Sequence, residues 1–135
     1  MAGWIGVDFD GTLAAYGTWV SGLHVGEPIG PMVDRVKAWI EQGREVRIFT
    51  ARVFPILIVT PDDDPADAPR MGAPFGGRDS EDAVRAIQDW CRRHVGQVLT
   101  ITCVKDYGMV ELYDDRAVQV RQNTGELVGS SSRGL

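Results

Sequence analysis

Apolar positions along this chain switch between two periods, and the switches mark its elements. Trp4 to Phe9 (WIGVDF) is a short β-rich run consistent with a buried strand, and it stops at a turn, Asp10-Gly11-Thr12. Residues 14–30 are rich in glycine with scattered aromatics, which predicts a loop or small hairpin serving as a flap. Pro31 suits the first position of a helix, and Met32, Val33, Val36, Trp39 and Ile40 recur at helical spacing until Gly43 stops them. Glu45 to Phe49 (EVRIF) reads as a second strand, ending at Thr50-Ala51-Arg52. Residues 53–79 begin as an apolar run and continue into PDDDPADAP. They predict an insertion loop with an ordered start and a mobile acidic part, long enough to act as a lid or specificity loop.

Asp79 or Ser80 then caps a second helix, whose buried stripe is Ala83, Val84, Ile87, Trp90 and Cys91. Leu99 to Val104 and Val110 to Tyr113 read as further strands. Ala117 to Val120 is expected to pair as another, with a turn at Asn123-Thr124-Gly125 and a disordered tail over 129–135. Strands alternating with helices predict an α/β layered fold with a mainly parallel sheet, in one domain over residues 1–128.

Composition narrows the function classes. The 135 residues are 44% hydrophobic and 24% charged, which excludes a coiled coil, a collagen-like chain and a mainly disordered one. Nineteen acidic against 14 basic residues leave a net charge of −5. Binding to nucleic acid or an anionic membrane needs a basic footprint, so neither is expected. A phosphorylated substrate remains open, because a bound cation reverses the local field. The longest apolar run, Val53 to Val59, is far short of a membrane span, and Asp8 and Asp10 interrupt the stretch a signal peptide would need. Two cysteines, Cys91 and Cys103, read as small core residues, and a reduced, cytoplasmic setting is the expectation.

Ligands of a parallel sheet gather beyond the carboxyl ends of its strands. Asp8 and Asp10, Thr50, Lys105, and Asp114 with Asp115 all fall at such ends or just past them. Carboxylates for a hard cation, a hydroxyl donor and an ammonium for anionic oxygens together describe a Mg²⁺ and phosphate site. Asp62, Asp63 and Asp64 are the other acid cluster. Flanking prolines and a missing turn glycine make them a solvated loop rather than a calcium loop.

DFDGTLA at 8–14 resembles the first motif, D-x-D-G-T, of the haloacid dehalogenase (HAD) superfamily of phosphohydrolases. Thr50 resembles the second motif, Lys105 the third and the Asp114-Asp115 pair the fourth, a likeness spanning residues 4 to about 121. The resemblance implies a three-layer Rossmann-like core with no large cap domain, since residues 14–30 and 53–79 are too short for one. It implies Asp8 as nucleophile, Asp10 as general acid and base, Thr50 as a donor to the transferring phosphoryl group and Lys105 as its neutralising cation. Asp8, Asp10, Asp114 and Asp115 would hold Mg²⁺, and Gly11, Thr12, Ala51 and Arg52 would line the substrate site. A small phosphorylated metabolite, a sugar phosphate or nucleotide, is the expected substrate. Capless members also act on macromolecules or close the site with a second subunit, so a homo-oligomer and a polynucleotide end are both within what the family allows. Trp19 in the flap is a candidate substrate contact.

Two rivals come from other classes. A signalling receiver domain also gathers acids, a threonine and a lysine around Mg²⁺, but its phosphorylated aspartate ends a middle strand, where this chain has Thr50. A silent binding module that kept the fold is the other, favoured if Lys105 has no function. Between Val104 and Val110 lie five residues, reaching roughly 17 Å when extended. Either the strands are short, or this segment passes directly over the edge that carries the acids.

Overall fold

The computed structural model describes residues 2–17, 24–72 and 77–129. Five strands form one sheet: β1 (Trp4–Asp8), β2 (Glu45–Phe49), β3 (Ile58–Val59), β4 (Thr100–Thr102) and β5 (Met109–Tyr113), in the order β3-β4-β2-β1-β5. β1, β2, β4 and β5 run parallel, and β3 alone is antiparallel, against β4. Two helices, α1 (Gly30–Glu41) and α2 (Gly77–His94), carry the chain from β1 to β2 and from β3 to β4. The α/β class and the mainly parallel sheet are therefore as the sequence predicts.

Register sorts the sheet residues onto two faces. Ile5, Val7, Val46, Ile48 and Ile101 share one face, where they join Val33 and Val36 of α1 and Ile87, Trp90 and Cys91 of α2 in a single buried cluster. The Phe9 and Trp90 rings meet edge to face at 5.0 Å in that cluster, and Trp39 of α1 lies 4.8 Å from Tyr113 of β5. Both crossovers step in the same direction, from β1 to β2 and on to β4, and right-handed connections of that kind put their helices on the same side. Among the described residues the opposite face carries no helix. There Trp4 is buried beneath the Arg47 guanidinium, 4.6 Å above its ring, and the chain following β4.

That chain explains the short connection. β4 has three residues, fewer than the 99–104 expected, because the chain must leave the sheet at Cys103 to reach β5 beyond both β2 and β1. The Trp4 indole donates to Asp106 at 2.8 Å, Arg47 lies 3.6 Å from the same carboxylate, and the Trp4 amide donates to the Gly108 carbonyl. Residues 106–108 thus cross low on the helix-free face, toward the amino ends of the strands.

Other boundaries differ for local reasons. α2 starts at Gly77, two or three residues before the expected cap, and the Ser80 hydroxyl donates to the Phe54 carbonyl at 3.0 Å instead of capping. The described part of 53–79 is built of turns: a 3-10 turn at Ala51–Val53, strand β3, and a second 3-10 turn at Pro65–Asp67 capped by Asp64. Asp63 accepts from the Thr60 amide and Asp64 from the Ala66 amide, so both acids help shape the loop. Residues 14–17 and 24–29 form a strap through paired hydrogen bonds, Ala15 to Glu27 and Ile29 to Leu13. The expected strand at 117–120 reduces to one antiparallel bridge, Val120 with Leu127, around the expected turn. Residues 130–135 of the tail lie outside the described residues. Among the described residues no helix is long and apolar enough to cross a membrane.

Ile48→Ala, at a fully buried position of β2, lowers unfolding free energy by about 2–5 kcal/mol in denaturant titration. Val110→Ala, on the half-exposed residue that β5 skips in pairing with β1, stays within about 0.5 kcal/mol of wild type. Equal losses at the two positions would contradict this division of the sheet.

Candidate active site

β1 is flanked by β2 and β5, so three strand ends meet where the order of the sheet reverses. Asp8 pairs in register with Phe49, and Val7 with Tyr113, which sets Thr50 and Asp114 beside the end of β1. The chain then turns within one tight loop, the amides of Leu13 and Ala14 both donating to the Phe9 carbonyl. Gly11 is required in that loop on two counts. Its φ is +91°, and a Cβ there would lie 2.7 Å from a carboxylate oxygen of Asp115.

Thr12 ties the two acidic segments together. Its hydroxyl accepts from the Asp115 amide at 2.9 Å and has one proton to offer, to Asp8 at 3.3 Å or to Asp115 at 3.1 Å. Carboxylate oxygens of Asp8, Asp114 and Asp115 come within 4.8 Å of one another. Burial pushes the Asp8 carboxyl up to about 7, helped by a hydrogen bond with Asp115 and by the charges of Asp114 and Asp115, against the Thr12 hydroxyl. Burial is thus the leading cause, and the neighbouring acids add to it. Three carboxylate oxygens at this separation could hold a hard divalent cation.

Asp10 stands apart from the three. Arg52 grips it with two parallel hydrogen bonds, Nη2 to Oδ1 at 2.7 Å and Nε to Oδ2 at 3.0 Å, and donates a third to the His24 carbonyl at 2.7 Å. The pair is largely withdrawn from water, the side chains being 8% and 21% exposed. Its forked geometry is the strong form of a charge-assisted pair. Thr50 is buried, anchored by its amide to the Thr102 carbonyl. Its hydroxyl accepts from the Arg52 amide at 3.2 Å, which leaves the hydroxyl hydrogen for a ligand.

A cavity of about 760 Å³ opens over these groups, lined by Asp8, Asp10, Thr50, Ala51, Arg52 and Asp114 among the residues expected for the site. Gly11, Thr12 and Asp115 line a smaller hollow behind it, which Asp114 shares. Compared with protein-family models, with curated proteins and with solved structures, the chain matches none. The site therefore rests on its own geometry.

Lys105 is the exception among the expected residues. It is exposed on the chain after β4, lines neither hollow, and makes no ion pair or hydrogen bond among the described residues. The pull of Trp4 and Arg47 on Asp106 draws that segment away from the acidic edge. Trp19 lies outside the described residues. Sequence reasoning missed Tyr16, Phe49, Phe54, Asp79, Ser80, Ala83 and Arg116 on the cavity wall. Arg116 carried a usable signal, since it directly follows the acid pair and its amide donates to Asp114 at 2.8 Å.

The Asp8 environment fixes the sign of a pH effect. The native metal-free protein keeps a proton on Asp8 up to about 7, whereas the unfolded chain releases it near 3.8. Stability therefore falls as pH rises between those values. Melting temperatures of the metal-free protein should decline as pH rises from about 4 to about 7, and Asp8→Asn should flatten that slope. An unchanged slope in the variant would place the titrating group elsewhere.

Proposed function

We propose that this chain is a Mg²⁺-dependent phosphomonoester hydrolase acting through an aspartyl phosphate on Asp8, a small capless phosphatase of the HAD type with a phosphorylated metabolite as substrate. The observation that carries the reading is the meeting of Asp8, Asp114 and Asp115 with Thr50 and the Arg52–Asp10 pair on one sheet edge. In this reading the fold is a three-layer Rossmann-like core reduced on one side, with segment 103–108 in place of a helix, and the protein works in the cytoplasm.

Asp8, Asp114 and Asp115 would hold the magnesium ion, with the Asp10 carbonyl beside them as the resemblance implies. Its charge lets a carboxylate approach a phosphate dianion. An Asp8 oxygen attacks phosphorus, the bond from phosphorus to the leaving oxygen breaks, and Asp10 in its acid form protonates that oxygen. Asp10 then takes a proton from water, the water oxygen attacks phosphorus, and the bond to Asp8 breaks to release orthophosphate. Thr50 donates to a phosphoryl oxygen.

Arg52 supplies the cation on the wall, which Lys105 was expected to supply. For Asp10 to exchange protons, Arg52 must turn from it to the incoming phosphoryl oxygens. Substrate thereby breaks one bidentate pair and makes another, a near-balanced exchange for a guanidinium fork.

The same Arg52 grip favours a second reading, a silent module in which Asp10 is permanently paired. Phosphate release from a panel of nucleotides, sugar phosphates and 3′- and 5′-phosphorylated oligonucleotides separates the two. Mg²⁺-dependent release is expected, falling at least roughly a thousandfold in Asp8→Asn while the melting transition persists. Activity retained in Asp8→Asn, or undiminished by a chelator, would remove the aspartyl-phosphate reading.

A further inference from the structure

We propose that the cavity takes a nucleoside monophosphate, whose base stacks on Phe54 and Tyr16 while the nucleoside departs through its sugar oxygen. The inference rests on the phosphomonoesterase reading for its phosphate end and goes beyond it in naming the other end of the substrate. A cavity of about 760 Å³ is far larger than a phosphoryl group needs and lies within the roughly 300–1,000 Å³ of small-molecule sites. Two large aromatic residues stand on its wall more than half exposed, Tyr16 at 57% and Phe54 at 55%. Scattered exposed aromatics need no explanation, but two on one cavity that also holds the acids form a patch with a purpose.

Phe54 is also held ready. Its amide donates to the Ala51 carbonyl at 3.1 Å, and its carbonyl accepts from the buried Ser80 hydroxyl at 3.0 Å. The backbone is pinned from both sides while the ring stays in water, two residues from the Arg52 that grips Asp10. Tyr16 comes from the strap, beside the Ala15–Glu27 hydrogen bond. A platform fixed before binding loses little entropy on stacking.

Beside the rings, Phe49, Ala51 and Ala83 extend the apolar part of the wall, and the Ser80 hydroxyl donates to the Phe54 carbonyl. A base hides its faces on the rings, and Asp79 on the same wall is an acceptor suited to an amino group at its edge.

Calorimetric binding of adenosine 5′-monophosphate, phenyl phosphate and ribose 5-phosphate to the full chain, at saturating Mg²⁺ and with phosphate release followed in parallel, tests this. The nucleotide should bind at least about tenfold more tightly than ribose 5-phosphate, a difference of about 1.4 kcal/mol. Phe54→Ala and Tyr16→Ala should each remove most of that preference and leave ribose 5-phosphate affinity unchanged. Phe54→Leu, which keeps bulk without a ring face, should behave like Phe54→Ala, with melting temperatures showing that each variant folds. Phenyl phosphate matching the nucleotide would assign the platform to aryl phosphates and keep the stacking. Equal affinity for the sugar phosphate and the nucleotide, or parallel losses for both in Phe54→Ala, would overturn the proposal. Binding preference without phosphate release would retain the platform while removing the phosphatase, so the two claims fail separately.

Discussion

The crowding of carboxylates at the end of β1 is the constraint on which the rest of the site depends. Asp8, Asp114 and Asp115 are brought within reach of one another by strand pairing that the whole sheet enforces, so their repulsion cannot be relieved by moving apart. Without a cation the protein answers with a proton on Asp8 and a shared hydroxyl from Thr12. The turn beside the acids needs Gly11, whose φ is +91°. Any side chain there would strike Asp115, and the turn that brings Thr12 under both acids would be strained. The three acids could hold a cation, and magnesium is the ion proposed for them.

Arg52 belongs to the same balance. It neutralises the fourth acid, Asp10, from a nearly buried position, and it is itself placed by the turn that Thr50 caps. Asp8, Asp10, Asp79 and Asp114 and two arginines, Arg52 and Arg116, therefore share the cavity with the aromatic rings of Tyr16, Phe49 and Phe54. In the proposed function the charged groups take the phosphoryl end of the substrate and the rings its base. Each half is conveyed by a different strand end: β1 and β5 supply the acids, while β2 supplies Thr50, Arg52 and Phe54.

Much of this was legible along the chain. Hydrophobic spacing placed α1 to within a residue and β1 and β2 almost to their ends, because each buries one face and carries clear stop signals in Gly11, Gly43 and Thr50. The acids could be gathered on one edge from the parallel order alone. What could not be read depended on pairing across the sheet. Strand β3 hides in a seven-residue apolar run interrupted by Pro55, and β4 is cut short by a crossing whose direction is visible only once β5 is known to lie beyond β1. Lys105 was assigned by order along the chain. The Trp4 and Arg47 contacts with Asp106 that pull its segment off the acidic edge join residues far apart in sequence. The aromatic wall escaped for a similar reason, since Tyr16 and Phe54 carry no spacing signal and become neighbours of the acids only in the folded chain.

The most direct test of the account is to quench the protein in acid during phosphate-ester turnover and map the phosphorylated peptide by mass spectrometry. An acyl phosphate on the segment 4–17 that localises to Asp8 and disappears with an excess of hydroxylamine is the predicted result. Steady release of phosphate with no phosphorylated aspartate, or with the label on Asp10, Asp114 or Asp115, would contradict the central role given to Asp8.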